Sequence, residues 1–189
     1  RIVPINDCLL QPIEFKNIIS VIENWIKKNS ISVYNEENGK GLIRHIFIRK
    51  AEKTNEIMVA LVINSDDISQ TDELINELLK ENSNIKSIGL NINKNRTNVI
   101  LGNLSKTIYG EDYITDILCG IKVRLSLLSF YQVNRDMAEK LYNKAREYAK
   151  PENKTVLDLY CGAGTIGLSM AREAKNIIGV EIIPEAVKD

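Results

Sequence analysis

Glycines and acids near the end of the sequence have a spacing suited to binding a nucleotide-like ligand. In the stretch TVLDLYCGAGTIG, Gly162, Gly164 and Gly167 form a G-x-G-x-x-G pattern after an apolar run that contains Asp158. A second apolar run ends in Glu181, about twenty residues after the first glycine. Glycines let the backbone approach a ligand closely, and an acid at that distance can accept hydrogen bonds from both ribose hydroxyls. The pattern predicts a ligand-binding turn; a tight turn that binds nothing is the alternative.

The residues between the first acid and the first glycine bear on which ligand this turn would bind. In dinucleotide-binding proteins the first glycine follows the strand almost at once, because the helix N-terminus must face a pyrophosphate. Here Leu159, Tyr160 and Cys161 intervene, and Asp158 stands at the end of the strand. A carboxylate repels a pyrophosphate but suits a ligand that carries ammonium and sulfonium groups and no phosphate. These residues favour S-adenosylmethionine over NAD.

The elements around the turn have the order of one βαβ unit. Asn134 is of the residue type that caps a helix, and the helical stretch RDMAEKLYNKAREYAK that follows it ends before Pro151. We predict next a strand over 155–159, a helix over 165–174 and a strand over 177–181. Such a unit requires a parallel sheet.

The preceding part of the chain has a different pattern, with strands that follow one another closely. Ile18, Ile22 and Ile26 recur at helical spacing after Pro12, and the stretch SQTDELINELLK predicts a second helix behind Ser and Thr cap candidates. Three hairpins are predicted between and after these helices. They pair LIRHIFIRK with EIMVALVIN, IKSIGLNIN with NVILG, and the two halves of DYITDILCGIKVRLS, which turn at Cys119-Gly120.

Bulk composition excludes several classes of protein. Lys and Arg together number 25, as do Asp and Glu, so RNA binding would need a local basic face. The three cysteines are too widely spaced for a disulfide framework, and no apolar run approaches the roughly 20 residues of a membrane span. We expect a soluble, monomeric, cytoplasmic protein with no targeting segment and no membrane partner. Because Arg1 cannot be a native initiator, the expectation about targeting applies to the given sequence only.

Several motifs together resemble one family. SFYQVN, then a helix, then VLDLYCGAGTIGL and IIGVEIIPEAV are similar to the S-adenosylmethionine-dependent RNA uracil-5-methyltransferases, which make 5-methyluridine in tRNA and 23S rRNA. RIVPINDCLLQP and GKGLIRHIFIR extend the resemblance over most of the chain. The combination of F-x-Q-x-N with D-L-x-C-G is specific to the family.

The resemblance implies a fold and a division of the chain. Residues 1–125 would form an α+β central module, a mainly antiparallel sheet with two helices. Residues 126–189 would form the N-terminal, incomplete part of an α/β Rossmann-like methyltransferase domain. An open sheet that ends after its second strand would expose apolar faces, so we expect the chain to be truncated, with an N-terminal RNA-binding domain absent as well.

The resemblance also implies roles for individual residues. Gln132 would hydrogen-bond the methionine end of the cofactor, Tyr160 would pack on it, and Glu181 would hold the ribose. The remaining residues of this pocket would be Asp158, Gly162 and Gly164. No catalytic residue is expected within the chain, because the family's cysteine nucleophile and its acidic partner lie well downstream of the glycine turn. We therefore reject Cys161 as the nucleophile.

Two further features could bind partners. Cys8 matches the place where many family members keep the last of four cysteine ligands to a [4Fe-4S] cluster; a small apolar residue is the alternative. Basic residues crowd the first hairpin around Phe47, where either RNA or solvent could face them. They are Lys40, Arg44, His45, Arg49, Lys50 and Lys53.

The resemblance thus implies a part of an enzyme that methylates carbon 5 of a uridine, with 23S rRNA preferred to tRNA as the substrate, in RNA modification and rRNA processing. A methyltransferase of another substrate class is one alternative. A non-catalytic RNA-binding module is the other. The 189-residue chain alone is expected to be inactive.

Overall fold

The helical and strand spacings after Pro12 build a first unit of two helices and one mixed sheet. The computed structural model describes residue 8 and residues 11–188. It divides into two units, one of residues up to Lys50 with Glu56–Asp112, the other of Ala51–Asn55 with the residues from Tyr113. The elements of the first unit are α1 (Glu14–Lys28), β1 (Ile43–Lys50), β2 (Ile57–Ile63), α2 (Thr71–Glu81), β3 (Ile85–Ile92) and β4 (Leu104–Gly110).

Both predicted helices of this unit are present, and their apolar stripes form its core. Ile18, Ile22 and Trp25 of α1 are fully buried, as are Leu74 and Leu78 of α2. They pack in one cluster with alternate residues of β2 and β3. Residues spaced by three and four positions share one face of a helix, which is why these side chains reach the sheet together.

The sheet has the order β1-β2-β3-β4, and its centre is β2. All seven residues of β2 are buried, as its continuous apolar sequence predicts. The pairings of β1 with β2 and of β3 with β4 are antiparallel, but β2 and β3 run parallel. The helix α2 connects that parallel pair. The prediction of a mainly antiparallel sheet is therefore confirmed only in part, and the sheet is mixed.

The second predicted hairpin is wrong in its return strand. Residues 98–102, the sequence NVILG, form no strand, and β3 pairs instead with β4. The amide of the buried Asn93 donates to the carbonyls of Val99 and Ile100, at 2.8 and 3.1 Å. Asn91 holds the end of the same loop through Gly102 at 2.8 Å. Because side chains bind these carbonyls, this stretch cannot use them in a ladder.

The start of α2 also differs from its prediction. Its N-cap is Gln70 in the left-handed region, and no side chain caps the helix. The carbonyl oxygen of Gln70 accepts a hydrogen bond from Trp25 Nε1 at 3.2 Å. This contact with α1, rather than a Ser or Thr hydroxyl, fixes the backbone where α2 begins.

The second unit contains the predicted βαβ unit. Its elements are β5 (Tyr113–Leu118), β6 (Ile121–Ser126), α3 (Arg135–Ala149), β7 (Thr155–Leu159), α4 (Thr165–Ser169), β8 (Asn176–Val180) and α5 (Pro184–Lys188). The strands β7 and β8 pair in parallel, and Asn134 caps α3 by accepting from Met137 N at 3.1 Å. The hairpin of β5 and β6 turns at Cys119-Gly120, both with positive φ. These predictions are confirmed.

The helix α4 is shorter than predicted. It ends at Ser169, whereas the prediction extended it to residue 174. The N–H groups of Met170 and Ala171 donate to carbonyls three residues back, at 2.9 and 3.0 Å. This spacing is that of a tighter 3₁₀-type turn, which closes the helix.

The hairpin of β5 and β6 groups with the second unit, whereas the predicted range 1–125 assigns almost all of it to the central module. Asp116 of β5 accepts hydrogen bonds from Tyr131 and from the N–H of Lys53, both residues of this unit. These contacts explain why the strand belongs with the residues after it. The predicted domain ranges, 1–125 and 126–189, stay a prediction.

The helices of the described residues are too short or too polar to span a membrane.

Amide exchange should be slowest in the first unit. The strand β2 is buried throughout, whereas Leu157 and Leu159 of β7 and Ile178 and Val180 of β8 are each at least half exposed. Few buried contacts allow local opening at low free-energy cost. Hydrogen-deuterium exchange read by mass spectrometry should show strong protection over 57–63 and weak protection over 155–180. Stronger protection of the second range would contradict the assignment.

Candidate functional site

Three residues of the turn that follows β7 have a left-handed backbone conformation, which glycine adopts most easily. Gly162 and Gly164 have φ angles of 57° and 73°, and Tyr160 has a φ of 59°. A side chain added at Gly162 would meet no atom within 4 Å, so open space lies beside this glycine. The left-handed conformation therefore explains the glycine, and the open space leaves room for a ligand to approach the backbone.

Glu181, just after β8, binds this turn directly. Its Oε2 accepts a hydrogen bond from Gly162 N at 2.9 Å, and its Oε1 accepts from Ile182 N and Ile183 N at 2.7 and 2.9 Å. The N–H groups of Ile183 and Gly162 lower the pKa of this carboxyl below its ordinary value of 4.5. Glu181 thus stays charged at neutral pH and joins the ends of the two parallel strands.

Asp158 lies on the other side of the turn. Its Oδ2 accepts a hydrogen bond from Gly167 N, in the first turns of α4, at 2.8 Å. The carboxylate also complements the positive end of the helix dipole. A Cβ at Gly167 would lie 2.9 Å from the same oxygen, so the glycine is required by the close approach of Asp158.

The structure brings five of the six predicted cofactor residues to this turn. Four of them are Asp158, Gly162, Gly164 and Glu181. Tyr160 belongs to the same segment, and its side chain is 92% exposed, which makes it available to a ligand rather than part of a core. Gln132 lies apart in sequence, half-buried in the segment before α3. Its side chain makes no hydrogen bond to the described residues. The cofactor roles of all six stay predictions.

Two of the basic residues of the first hairpin have partners within the protein. Arg44 lies over the ring of Tyr34, 4.4 Å from its centroid, and donates to the carbonyls of Asn93 and Asn95, both at 2.7 Å. Lys50 forms an ion pair with Glu14 at 2.9 Å. Neither side chain is therefore a ready phosphate ligand, which narrows the predicted RNA-contacting set.

The cysteines do not form a metal centre among the described residues. No group of three or more His, Cys, Asp or Glu residues there could hold a metal ion. Cys8, Cys119 and Cys161 are all free thiols of intermediate exposure. Cys161 contacts the turn, with its Sγ 3.6 Å from Gly162 O. One cysteine at Cys8 cannot ligate a cluster by itself.

Sequence reasoning missed a buried polar cluster around Asp116. This residue and Arg135 are 0% and 4% exposed, and Tyr131 donates to the same carboxylate. Tyr131 belongs to the motif SFYQVN, in which a cofactor role is predicted only for Gln132. The place of Asp116 between Ile114 and Leu118, on the buried face of β5, was a signal in the sequence, but its donors come from distant parts of the chain.

The amide of Gly162 should report the titration of Glu181. Because the folded pKa is lowered, the contact with Gly162 should persist as pH falls through 4.5 and be lost only below it. A titration followed by NMR should give a midpoint for the Gly162 amide shift below 4.5. The variant Glu181→Ala should remove that transition. A midpoint at or above the ordinary value would contradict the contact.

Gly167→Ala should disturb the second unit. The new methyl group would lie too close to Asp158 and would push its carboxylate away from Gly167 N, at a cost of about 1–3 kcal/mol. The midpoint temperature of thermal unfolding should fall, and the backbone amides over 165–180 should exchange faster with solvent. Gly89→Ala is the matched control, since its added carbon would meet only Lys106 O at 3.4 Å. Equal effects of the two variants would refute the role of Asp158.

Comparisons with known proteins identify the family of this chain. The profile of the family described as tRNA (Uracil-5-)-methyltransferase matches residues 50–189. An uncharacterised RNA methyltransferase of Staphylococcus epidermidis is 44% identical, and one of Clostridium acetobutylicum is 45% identical, over the whole of this chain. The chain spans 41% of the length of each of these relatives.

One solved structure shares the fold closely. It is the tRNA (uracil-54, C5)-methyltransferase of Pyrococcus abyssi in complex with S-adenosyl-L-homocysteine, with a TM-score of 0.85 and 24% identity. The match covers 100% of this chain and 45% of that one. The fold resemblance, the sequence identities and the family profile agree, and the profile covers most of the chain. This chain belongs to the tRNA (uracil-5-)-methyltransferase family.

Proposed function

We propose that this chain is part of an S-adenosylmethionine-dependent enzyme that methylates carbon 5 of a uridine in RNA. The observation that carries the proposal is the glycine turn held between Asp158 and Glu181 at the ends of two parallel strands. The family supports the reaction type. The curated relatives are more than twice as long as this chain, so the chain would belong to a longer protein, which is called the parent protein below.

The residues of the turn fit an adenosine that carries a cationic side chain. Glu181 keeps its charge, and its Oε2, which accepts from Gly162 N, has a further lone pair with which to accept from a ribose hydroxyl. The negative charge of Asp158 suits the ammonium and sulfonium groups, and the exposed ring of Tyr160 can pack on the ligand. Gln132 supplies an amide for the methionine end. S-adenosylmethionine, when bound, would supply the methyl group.

The catalytic residues are assigned to the parent protein outside this chain. Addition of a thiolate to carbon 6 of uracil would need an accessible, reactive cysteine. Cys161 is a half-buried thiol whose Sγ lies 2.9 Å from where a Cβ of Gly179 would be, so it packs against β8, and we assign it no catalytic role. Burial, followed by the nearby charge of Glu139, raises the pKa of Cys119. The 189-residue chain is accordingly proposed to be inactive by itself.

The RNA substrate is proposed to be 23S rRNA or tRNA, and the preference for 23S rRNA stays a prediction. The relatives support RNA as the substrate class through their names. Exposed Lys40 and half-buried His45 of the first unit remain candidates to contact it. A cytoplasmic, monomeric protein is part of the same proposal. The role of Cys8 as a ligand of a [4Fe-4S] cluster in the parent protein stays a prediction, because the other three cysteines would lie outside this chain.

The parent protein should bind S-adenosylmethionine and form 5-methyluridine, and Glu181→Ala should weaken both. Hydrogen bonds to a charged group contribute roughly 1.5–3 kcal/mol each, so the Kd should rise at least about tenfold. Calorimetry gives the affinity, and mass spectrometry of nucleosides from methylated RNA identifies the product. Glu147→Ala, which removes an exposed glutamate paired with Lys144, should leave both unchanged.

Other products would change the proposal. Methylation of another base, or of a protein, would refute the reaction. RNA binding without cofactor binding would favour a non-catalytic module. Turnover by the 189-residue chain alone would mean that a cysteine within it is the nucleophile after all.

A further inference from the structure

One buried carboxylate joins three segments of the second unit. Asp116 of β5 is 0% exposed, and its Oδ1 accepts a hydrogen bond from Lys53 N at 2.9 Å. Its Oδ2 accepts from Glu52 N at 3.2 Å and from the hydroxyl of Tyr131 at 2.9 Å. A buried charge is tolerated only when donors replace the lost water. The three donors therefore stabilise the buried carboxylate of Asp116, and the carboxylate in turn fixes the positions of Glu52, Lys53 and Tyr131.

Arg135, the first residue of α3, adds a positive charge to this cluster. Its Nε lies 3.9 Å from Asp116 Oδ2, and its Nη2 donates to Ile117 O at 2.7 Å and to Glu139. The guanidinium is itself buried. Both Tyr131 and the start of α3 are thus attached to β5.

Gln132 lies between these attachments. The residues between Ser129 and Asn134 form neither helix nor strand, and the neighbouring Phe130 and Val133 are 80% and 97% exposed. The Tyr131 hydroxyl faces inward from this stretch and donates to Asp116. Burial, followed by the hydrogen bond to Asp116, raises the pKa of Tyr131 far above its ordinary value, so the phenol keeps its proton as a donor.

We propose that Tyr131, held by Asp116, is a positioning residue that fixes the backbone at Gln132 for cofactor binding. A side-chain amide can meet the methionine end of a ligand only if its backbone is held in place. The proposal rests on the proposed function, which assigns Gln132 to S-adenosylmethionine. It adds that a buried network outside the cofactor pocket determines how well that amide binds.

The test is a double-mutant cycle in the parent protein, with S-adenosylmethionine affinity measured by calorimetry. Tyr131→Phe removes one hydroxyl and keeps the ring, and it should raise the Kd about tenfold, as should Gln132→Ala. The double variant should bind no more weakly than Gln132→Ala alone, since the hydroxyl acts only through the glutamine. Tyr148→Phe, at an exposed tyrosine of α3, should bind as the unchanged protein does.

A merely structural role would give a different result. If Tyr131 only stabilised the unit, its effect would persist in the Gln132→Ala background, and additive losses would overturn the proposal. Unchanged affinity of Tyr131→Phe would also overturn it while leaving the proposed function intact. Absence of cofactor binding by the unchanged parent protein would refute the proposed function first. Asp116→Asn is a second variant through the same network and should show the same non-additivity.

Discussion

The second unit depends on carboxylates that accept hydrogen bonds from backbone N–H groups outside the regular ladders. When a chain leaves a parallel strand and enters a helix within a few residues, several N–H groups lose their partners. Glu181 accepts from Gly162, and Asp158 accepts from Gly167. Asp116 does the same for the turn of Glu52 and Lys53. At the turn after β7, Glu181 and Asp158 add to the backbone hydrogen bonds from Cys161 N to Val180 O and from Gly164 N to Cys161 O.

In the first unit, side-chain amide and guanidinium groups donate to backbone carbonyls that lie outside the regular ladders. Asn91 and Asn93 bind the carbonyls of the loop between β3 and β4, and Arg44 binds three more carbonyls of its first half. The loop forms neither helix nor strand but is held at several points. Its shape follows from side chains of neighbouring strands rather than from its own sequence.

The two units differ in how their strands are stabilised. In the first, helices α1 and α2 cover a core in which β2 is buried on both faces. In the second, β7 and β8 pair with each other while several of their apolar side chains stay exposed. The geometry of the glycine turn therefore depends less on a core and more on the polar contacts of Asp158 and Glu181.

The sequence by itself determined the local features of this protein. The spacing of Ile18 and Ile22, the apolar run of β2, the cap at Asn134 and the glycine turn were all predictable, because each depends on residues a few positions apart. The tertiary structure decided the parallel pairing of β2 with β3, the irregular loop over 98–102 and the partners of Arg44. It also decided the burial of Asp116, whose donors lie at Lys53 and Tyr131, far away in the chain. A charged residue in a strand reads as exposed unless its partners are known, and only folding brings them together.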